Sequence, residues 1–337
     1  MFRILYTLLV FATLSTQLSA QGLHFSQYFN APQLLNPANT ALMPLEDFSL
    51  GANYREQWKT VPAPFTTIAA HADMQLMRNK NITNWMGIGF AFFSDKAGQG
   101  VLSLDKVQAS LAYHVQMQDN SMISAGASVS YVQRSIDFTR LTFDMQWDGF
   151  RFNQRASQQE PYARQSLSYV DVMLGANYAY FPNENLYLKV GAGLMNISRP
   201  KESFYQSDNR VGMRPVLNMD LLMKSGERFI LNPSLYYTTQ RGAYELVFGS
   251  LFNINLGAEA GISNAMVAGL YYRMGESFIP MLGMEFSRFR WTLSYDITSS
   301  KLSVANRSRG AFEIGVIYKR FYGALSRGRD AYNCPRF

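Results

Sequence analysis

The sequence predicts an all-β protein, a single transmembrane antiparallel β-barrel of the outer-membrane type with about fourteen strands. Three observations predict it: long two-residue alternation, a composition poor in charge but rich in aromatics and glycine, and connections that alternate between short and long. The alternation is clearest from Lys106 to Val132. Val107, Ala109, Leu111, Tyr113, Val115 and Met117 share one face, and Lys106, Gln108, Ser110, Ala112, His114 and Gln116 share the other. A polar turn at Gln118-Asp119-Asn120 follows, and Ile123, Ala125, Ala127, Val129 and Tyr131 then alternate with Ser124, Gly126, Ser128 and Ser130. Successive strand side chains point to opposite faces, so this is a hairpin with one apolar and one polar wall. Each arm is long enough for the roughly 9–11 residues that a tilted strand needs to cross a bilayer. Charged residues are 16% and aromatics 14%, while the mean hydropathy is only −0.12. A helical membrane protein would be more apolar, and no uncharged apolar run of about 18 residues follows the N-terminus. The net charge of +7 is dispersed, with no basic stripe to form a nucleic-acid footprint.

The chain begins with a targeting segment, residues 1–20. Arg3 supplies the positive start, Ile4 to Leu14 the apolar core, and Leu18-Ser19-Ala20 the small-residue cleavage site. Gln21 follows the site where a lipoprotein would carry cysteine. The one cysteine, Cys334, leaves no intrachain disulfide to be made. Residues 21–46 form a leader without alternation, interrupted by Pro32, Pro37 and Pro44. It is either a loose lead-in to the first strand or a plug or partner-binding segment. Its aromatics and few charges favour the latter, with Phe25, Gln27, Tyr28, Asn36 and Pro37 as candidate contacts.

The barrel itself is expected over 47–320. Its strands are predicted at Phe48–Trp58, Phe65–Gln75, Trp85–Phe93, the hairpin, Ser168–Tyr180, Asn185–Asn196, Met213–Lys224, Arg228–Thr239, Tyr244–Ile254, Met266–Arg273, Phe278–Phe286, Phe289–Ile297 and Ala311–Lys319. The lumen face is expected to carry His71, Asp73, His114, Asp171, Arg290, Asp296 and Glu313. Met266–Arg273 and Phe278–Phe286 lack strict alternation. Pro215, Pro233 and Pro280 fall inside strands, where each costs a ladder hydrogen bond and suggests a bulge or an end.

Outer-membrane barrels have short periplasmic turns and longer external loops. With a periplasmic N-terminus, the long connections at roughly 134–167, 199–212 and 298–310 all fall outside. Leu76–Asn84 and Asn255–Ala265 are long for periplasmic turns. The longest loop, Arg134 to Gln165, carries Trp147, Phe150, Arg151, Phe152 and Arg155. It suits equally a contact surface, since aromatics and arginine are enriched at interface hot spots, or a lid over the mouth. Residues 321–337 form a tail that this topology places on the periplasmic side.

Phe25-Ser26-Gln27-Tyr28, Leu35-Asn36-Pro37-Ala38 and Tyr54-Arg55-Glu56-Gln57-Trp58 resemble the opening of the PorP/SprF family of type IX secretion and gliding-motility proteins. Phe312-Glu313-Ile314-Gly315 and the terminal Cys334-Pro335-Arg336-Phe337 are similar to that family's closing motifs. Phe312 stands where a histidine is common in the family. The resemblance implies an outer-membrane protein that anchors or presents secreted surface proteins, such as adhesins with a C-terminal sorting domain. It equally allows a core-machinery barrel contacting periplasmic ring or peptidoglycan-linked components. A docked tail, with Cys334, Pro335, Arg336 and Phe337 as contacts, is also implied.

The residues show no enzyme chemistry. No nucleophile elbow, phosphate loop or HExxH motif is present, and three scattered histidines with one cysteine make no metal spacing. His71 and His114 could approach Asp73 and serines, but such residues are ordinary in a hydrated lumen. No cofactor is expected. The rival from another class is a barrel that transports small solutes, with the leader as its plug.

Overall fold

The structure is a computed structural model that describes residues 25–320 except 44–45, 60–63, 78–82, 99–101, 119, 142–143, 154–164, 206, 227, 260–261, 287 and 302. The expected cleavage segment at 1–20, Arg155 and the tail with Cys334, Pro335, Arg336 and Phe337 lie outside the described residues. Fourteen strands follow one another: β1 (Phe48–Gln57), β2 (Phe65–Leu76), β3 (Asn84–Ala97), β4 (Leu102–Gln118), β5 (Ser121–Ile136), β6 (Ser166–Asn183) and β7 (Leu186–Met195). The second half comprises β8 (Arg214–Ser225), β9 (Phe229–Gln240), β10 (Ala243–Glu259), β11 (Ile262–Arg273), β12 (Ser277–Phe286), β13 (Phe289–Thr298) and β14 (Arg309–Arg320). Each strand pairs antiparallel with its sequence neighbours, and β1 pairs with β14, so the sheet closes. Closure leaves no unpaired edge, the condition for a sheet to sit in lipid.

Two solvents write the alternation. On β4, Val107, Leu111 and Tyr113 are exposed outward while Lys106, Gln108, Ser110 and His114 are buried inward. The same parity runs through Val170, Leu174 and Tyr178 against Asp171 and Asn177, and through Trp291, Leu293 and Tyr295 against Thr292, Ser294 and Asp296. The belt of exposed Leu, Val, Phe and Tyr is a lipid-facing surface. The long connections between β5 and β6 and between β7 and β8 share one rim, taken as external.

Three expectations change. β11 does alternate, with Met266 and Leu270 outward and Val267, Tyr271 and Arg273 buried inward. Its inward face is partly apolar because it packs against the leader, which hides the pattern from a polar-inside template. The long connection expected over Asn255–Ala265 is mostly strand, since β10 reaches Glu259 through a register shift between Asn255 and Gly257, where Gly257 has φ +124°. The prolines coincide with no bulge. Pro215 sits at the start of β8, and the β8–β9 and β12–β13 ladders skip pairs at Pro233 and Pro280 without changing register. At Pro233 the side-chain amide of Asn232 donates to Leu221 O at 3.0 Å. That fills the carbonyl directly opposite the proline, which has no N–H to offer.

Candidate functional site

The described part of the leader, residues 25–43, lies inside the barrel. Three 3-10 turns, Tyr28–Asn30, Pro32–Leu34 and Pro37–Asn39, fold it into a compact plug. Proline at the first position of the last two presets the turn. The plug starts near the external ends of β11 and β13, where Ser26 meets Arg273 and Asp296. It ends near the periplasmic ends of β2 and β3, where Ala41 and Met43 meet Asp73, Gln75 and Trp85.

The upper anchor is an ion cluster. Glu313 accepts from Ser26 N at 2.8 Å and Gln27 N at 3.2 Å, and Ser26 Oγ donates to Asp296 at 2.7 Å. Arg55 bridges the two carboxylates, at 2.7 Å from Asp296 and 3.2 Å from Glu313, with all three side chains buried. Arg273 adds contacts of 3.2 Å to Asp296 and 3.3 Å to Glu245, and Arg214 closes on Glu245 at 3.5 Å. With Glu276 also 3.4 Å from Arg273, three arginines face four carboxylates, and such pairing is what burial of so much charge requires. The Gln27 amide donates to Ser294 Oγ at 3.0 Å and accepts from Thr292 Oγ1 at 2.5 Å.

An aromatic anchor follows. Tyr28 packs against Tyr236 and Tyr271, with ring centroids 5.5 and 6.1 Å away, and its hydroxyl shares Ser234 with Tyr271 at 2.8 Å each. Phe25 meets Phe93 edge-on at 5.7 Å.

The middle anchor depends on missing side chains. Gly126, Gly175 and Gly193 are cross-strand neighbours on β5, β6 and β7. They form a flat trough for Asn36 and Pro37, because a Cβ at Gly126 would stand 2.5 Å from Pro37 C and one at Gly175 would collide with the Asn36 side chain. Asn36 donates to Asn177 at 2.9 Å and Asn218 at 3.2 Å, while its oxygen caps Ala38 N at 2.9 Å. At the lower end, Asp73 accepts from Ala41 N at 2.6 Å. His114 joins Thr40 O at 2.8 Å to Ser124 Oγ at 2.7 Å, and Trp85 Nε1 donates to Ala41 O at 2.9 Å.

The predicted site residues thus separate into groups. Gln27, Tyr28, Asn36 and Pro37 are buried in the lumen and committed to its wall. They anchor the plug, with Phe25 half-buried beside them. Asp73, His114, Asp296 and Glu313 hold the plug. Glu313 and Asp296 between them bond Ser26, Gln27, Arg55 and Arg273, His114 bonds Thr40 O and Ser124, and Asp73 bonds Ala41 N, so none of them is joined to His71 among the described residues. His71 lies against Gly51. Asp171 faces the external mouth and accepts from Ser198 at 3.1 Å, and Arg290 pairs with Glu285 at 2.7 Å at the other end. In the external loop, Phe150 is 93% exposed, Trp147 and Phe152 form a small bridge, and Arg151 points outward. The described tip of this loop is thus solvent-exposed. Its turn is built on Asp148, whose carboxylate accepts from Phe150 N and Arg151 N at 2.8 Å each; these bonds hold it below the usual carboxylate range. Arg55, Arg273, Glu245, Trp85 and the glycine trough were not among the expected site residues.

Fold and belt define a fourteen-stranded outer-membrane β-barrel whose lumen holds its own leader. The model of the type IX secretion system membrane protein family PorP/SprF matches residues 17–318, and the chain belongs to that family. Among solved structures the chain is similar in fold to the toluene transporter TbuX of Ralstonia pickettii, at 10% identity and TM-score 0.54, covering 87% of this chain and 94% of that one. The P. putida toluene transporter TodX compares at 11% identity and TM-score 0.51, with the same coverage. No curated protein sequence matches the chain. Phe312, at the family's histidine position, is exposed on the outer face, so the departure leaves the lumen cluster around Glu313 unaltered.

Proposed function

We propose that this barrel is a non-catalytic anchor of the type IX secretion system that holds or presents secreted surface proteins carrying a C-terminal sorting domain. The observation that carries this reading is the division of labour along the chain. The leader is held in the lumen through buried contacts, and the β5–β6 loop offers Trp147, Phe150, Arg151 and Phe152 to the outside. Exposed aromatics with an adjacent arginine are the residue types that dominate protein interfaces. Membrane lipid holds the wall, and the plug closes a path that an open porin would use. Crosslinking the full-length protein in cells, followed by detergent extraction and mass spectrometry, tests the reading. A large secreted protein should be recovered with the native chain and lost when residues 146–153 are replaced by a short Gly-Ser turn. Unchanged recovery overturns the assignment to this loop.

Recovery of periplasmic ring or peptidoglycan-linked components instead favours the machinery reading, in which the tail with Cys334, Pro335, Arg336 and Phe337 makes the contact. A transport reading draws on the cavity above the plug. It requires solute conductance across reconstituted bilayers by the native chain.

A further inference from the structure

The lumen is not filled to the top. Between plug and external rim lies a cavity of about 390 Å³, walled by the outer halves of β1 to β9 and by the loop after β7. That volume is within the range of small-ligand pockets. One flank is apolar, built from Phe65, Phe93, Leu104 and Val132. The other is charged, and its anions are engaged. Asp95 accepts from Thr67 at 2.6 Å, Asp171 from Ser198 at 3.1 Å, and Glu202 takes Tyr169 at 2.8 Å and Arg134 at 3.0 Å.

Lys106 breaks this pattern. It is only 8% exposed, it lines the cavity, and its ammonium makes no hydrogen bond or ion pair among the described residues, the Asp171 carboxylate on the same wall attracting it only through space. Arg134 lies diagonally across on β5, since Lys106 pairs with Val132 and Leu104 with Arg134. Its buried Nε also lacks an acceptor. A buried cation without a partner is costly, and buried charges are as a rule paired. Lys106, with no anion in contact, and the free Nε of Arg134, whose other face is held by Glu202, leave donors beside an apolar wall for an anion with an apolar body.

We propose that the external vestibule is a binding site for a carboxylate carried on an apolar group, with the head on Lys106 and Arg134 and the body against Phe93 and Val132. The source is a free aryl or alkyl acid or the C-terminal carboxylate of a peptide; both present this chemistry. The site stands independently of the anchor reading, since it uses the lumen mouth and not the loop tip.

Titration calorimetry on the purified full-length barrel in detergent tests it with two matched pairs: 3-phenylpropionate against 3-phenylpropionamide, and the tripeptide Gly-Gly-Phe as free acid against its C-terminal amide. At least one acid should bind tenfold or more tightly than its amide. Lys106→Met should abolish that preference, and Lys106→Arg should keep it. The pair with the stronger preference identifies the source. Equal affinity for acid and amide in both pairs, binding of neither acid, or an undiminished preference in Lys106→Met each overturns the proposal. Lys106→Gln takes the place of Lys106→Met if the latter loses the heat-modifiable gel migration of a folded barrel. The acid–amide comparison on the native chain needs no variant at all.

Discussion

Glu313→Gln is the sharpest probe of the docked leader, because it keeps the side chain's shape and removes its charge. Glu313 accepts from Ser26 N at 2.8 Å, Gln27 N at 3.2 Å, Asn53 Nδ2 at 3.1 Å and Arg55 Nη1 at 3.2 Å. A carboxamide has one acceptor oxygen and turns an NH2 group towards the remaining donors. Hydrogen bonds to a charged group contribute about 1.5–3 kcal/mol each, and breaking a buried pair costs about 3–5 kcal/mol. Arg55 keeps Asp296 at 2.7 Å, so the lower end of that range applies. A loss of about 3 kcal/mol from plug docking corresponds to roughly a hundredfold larger undocked population. The assay is maleimide labelling of Ala31→Cys, a buried plug position, in a Cys334→Ser background. Where docking is fast relative to labelling, the rate follows the opened fraction. Glu313→Gln should raise it about a hundredfold on the same scale. Glu285→Gln, which loosens only the half-exposed pair with Arg290, should leave it unchanged. An unchanged rate in Glu313→Gln, with the barrel folded, would refute the anchoring role of the ion cluster.

Further outcomes follow from the other anchors. Gly175→Val suits a strand but drives its side chain into Asn36. It should expel the plug from an intact barrel and raise single-channel conductance in planar bilayers. Trp85→Phe removes the donor to Ala41 O. With only the long 3.4 Å bond from the Gln75 amide left on that carbonyl, it should cost the lower end of the plug about 1 kcal/mol, measured as faster amide exchange over residues 38–43. Phe150→Ala changes an exposed loop tip and should leave barrel stability within about 0.5 kcal/mol, while recovery of the secreted client by crosslinking falls.

The strands were legible because each one separates lipid from lumen, and that boundary is printed in every second residue. Where the lumen side is not simply polar the signal fails. Tyr271 and Val267 point inward because Tyr28 and its neighbours give them an apolar surface to cover. No local window contains that information. Pro233 presents the same difficulty in the ladder, since its missing donor is made good by the neighbouring Asn232 side chain and no bulge is needed. The site was legible only in pieces. Ser26-Gln27-Tyr28, Arg55 and Glu313 stand out as three separate short motifs, and alternation places Glu313 inside. Nothing in sequence spacing says that they meet, because Ser26 and Glu313 are 287 positions apart. The glycines were visible on the lumen face, but their purpose depends on Asn36 and Pro37 arriving there.

That separation also orders assembly. Ser26 makes contacts with Asp296 and Glu313, 270 and 287 positions away, and Arg55 reaches the same pair from β1. The upper anchor therefore has no complete partner set until β13 and β14 are in place and β14 has paired with β1. The lower anchors are local by comparison, since Asp73, Trp85 and His114 belong to β2, β3 and β4, within 32 to 74 positions of the plug residues they hold. Contacts of such different sequence separation carry different loop-closure costs, so the lower end should dock first and the upper end last. Ala31 packs against Ala69 and Ala91 of β2 and β3, so the upper end is better read from Phe29→Cys, whose position packs on Tyr271 of β11. In a Phe29→Cys chain of the same Cys334→Ser background, labelling during refolding into detergent should then stop only when heat-modifiable migration appears, because both report closure. A chain lacking β14 should keep Phe29→Cys reactive while the periplasmic end of the plug is already protected from exchange. Early loss of Phe29→Cys labelling in that truncated chain would mean that the plug docks on an open sheet, and that the Arg55, Asp296 and Glu313 cluster follows docking instead of causing it.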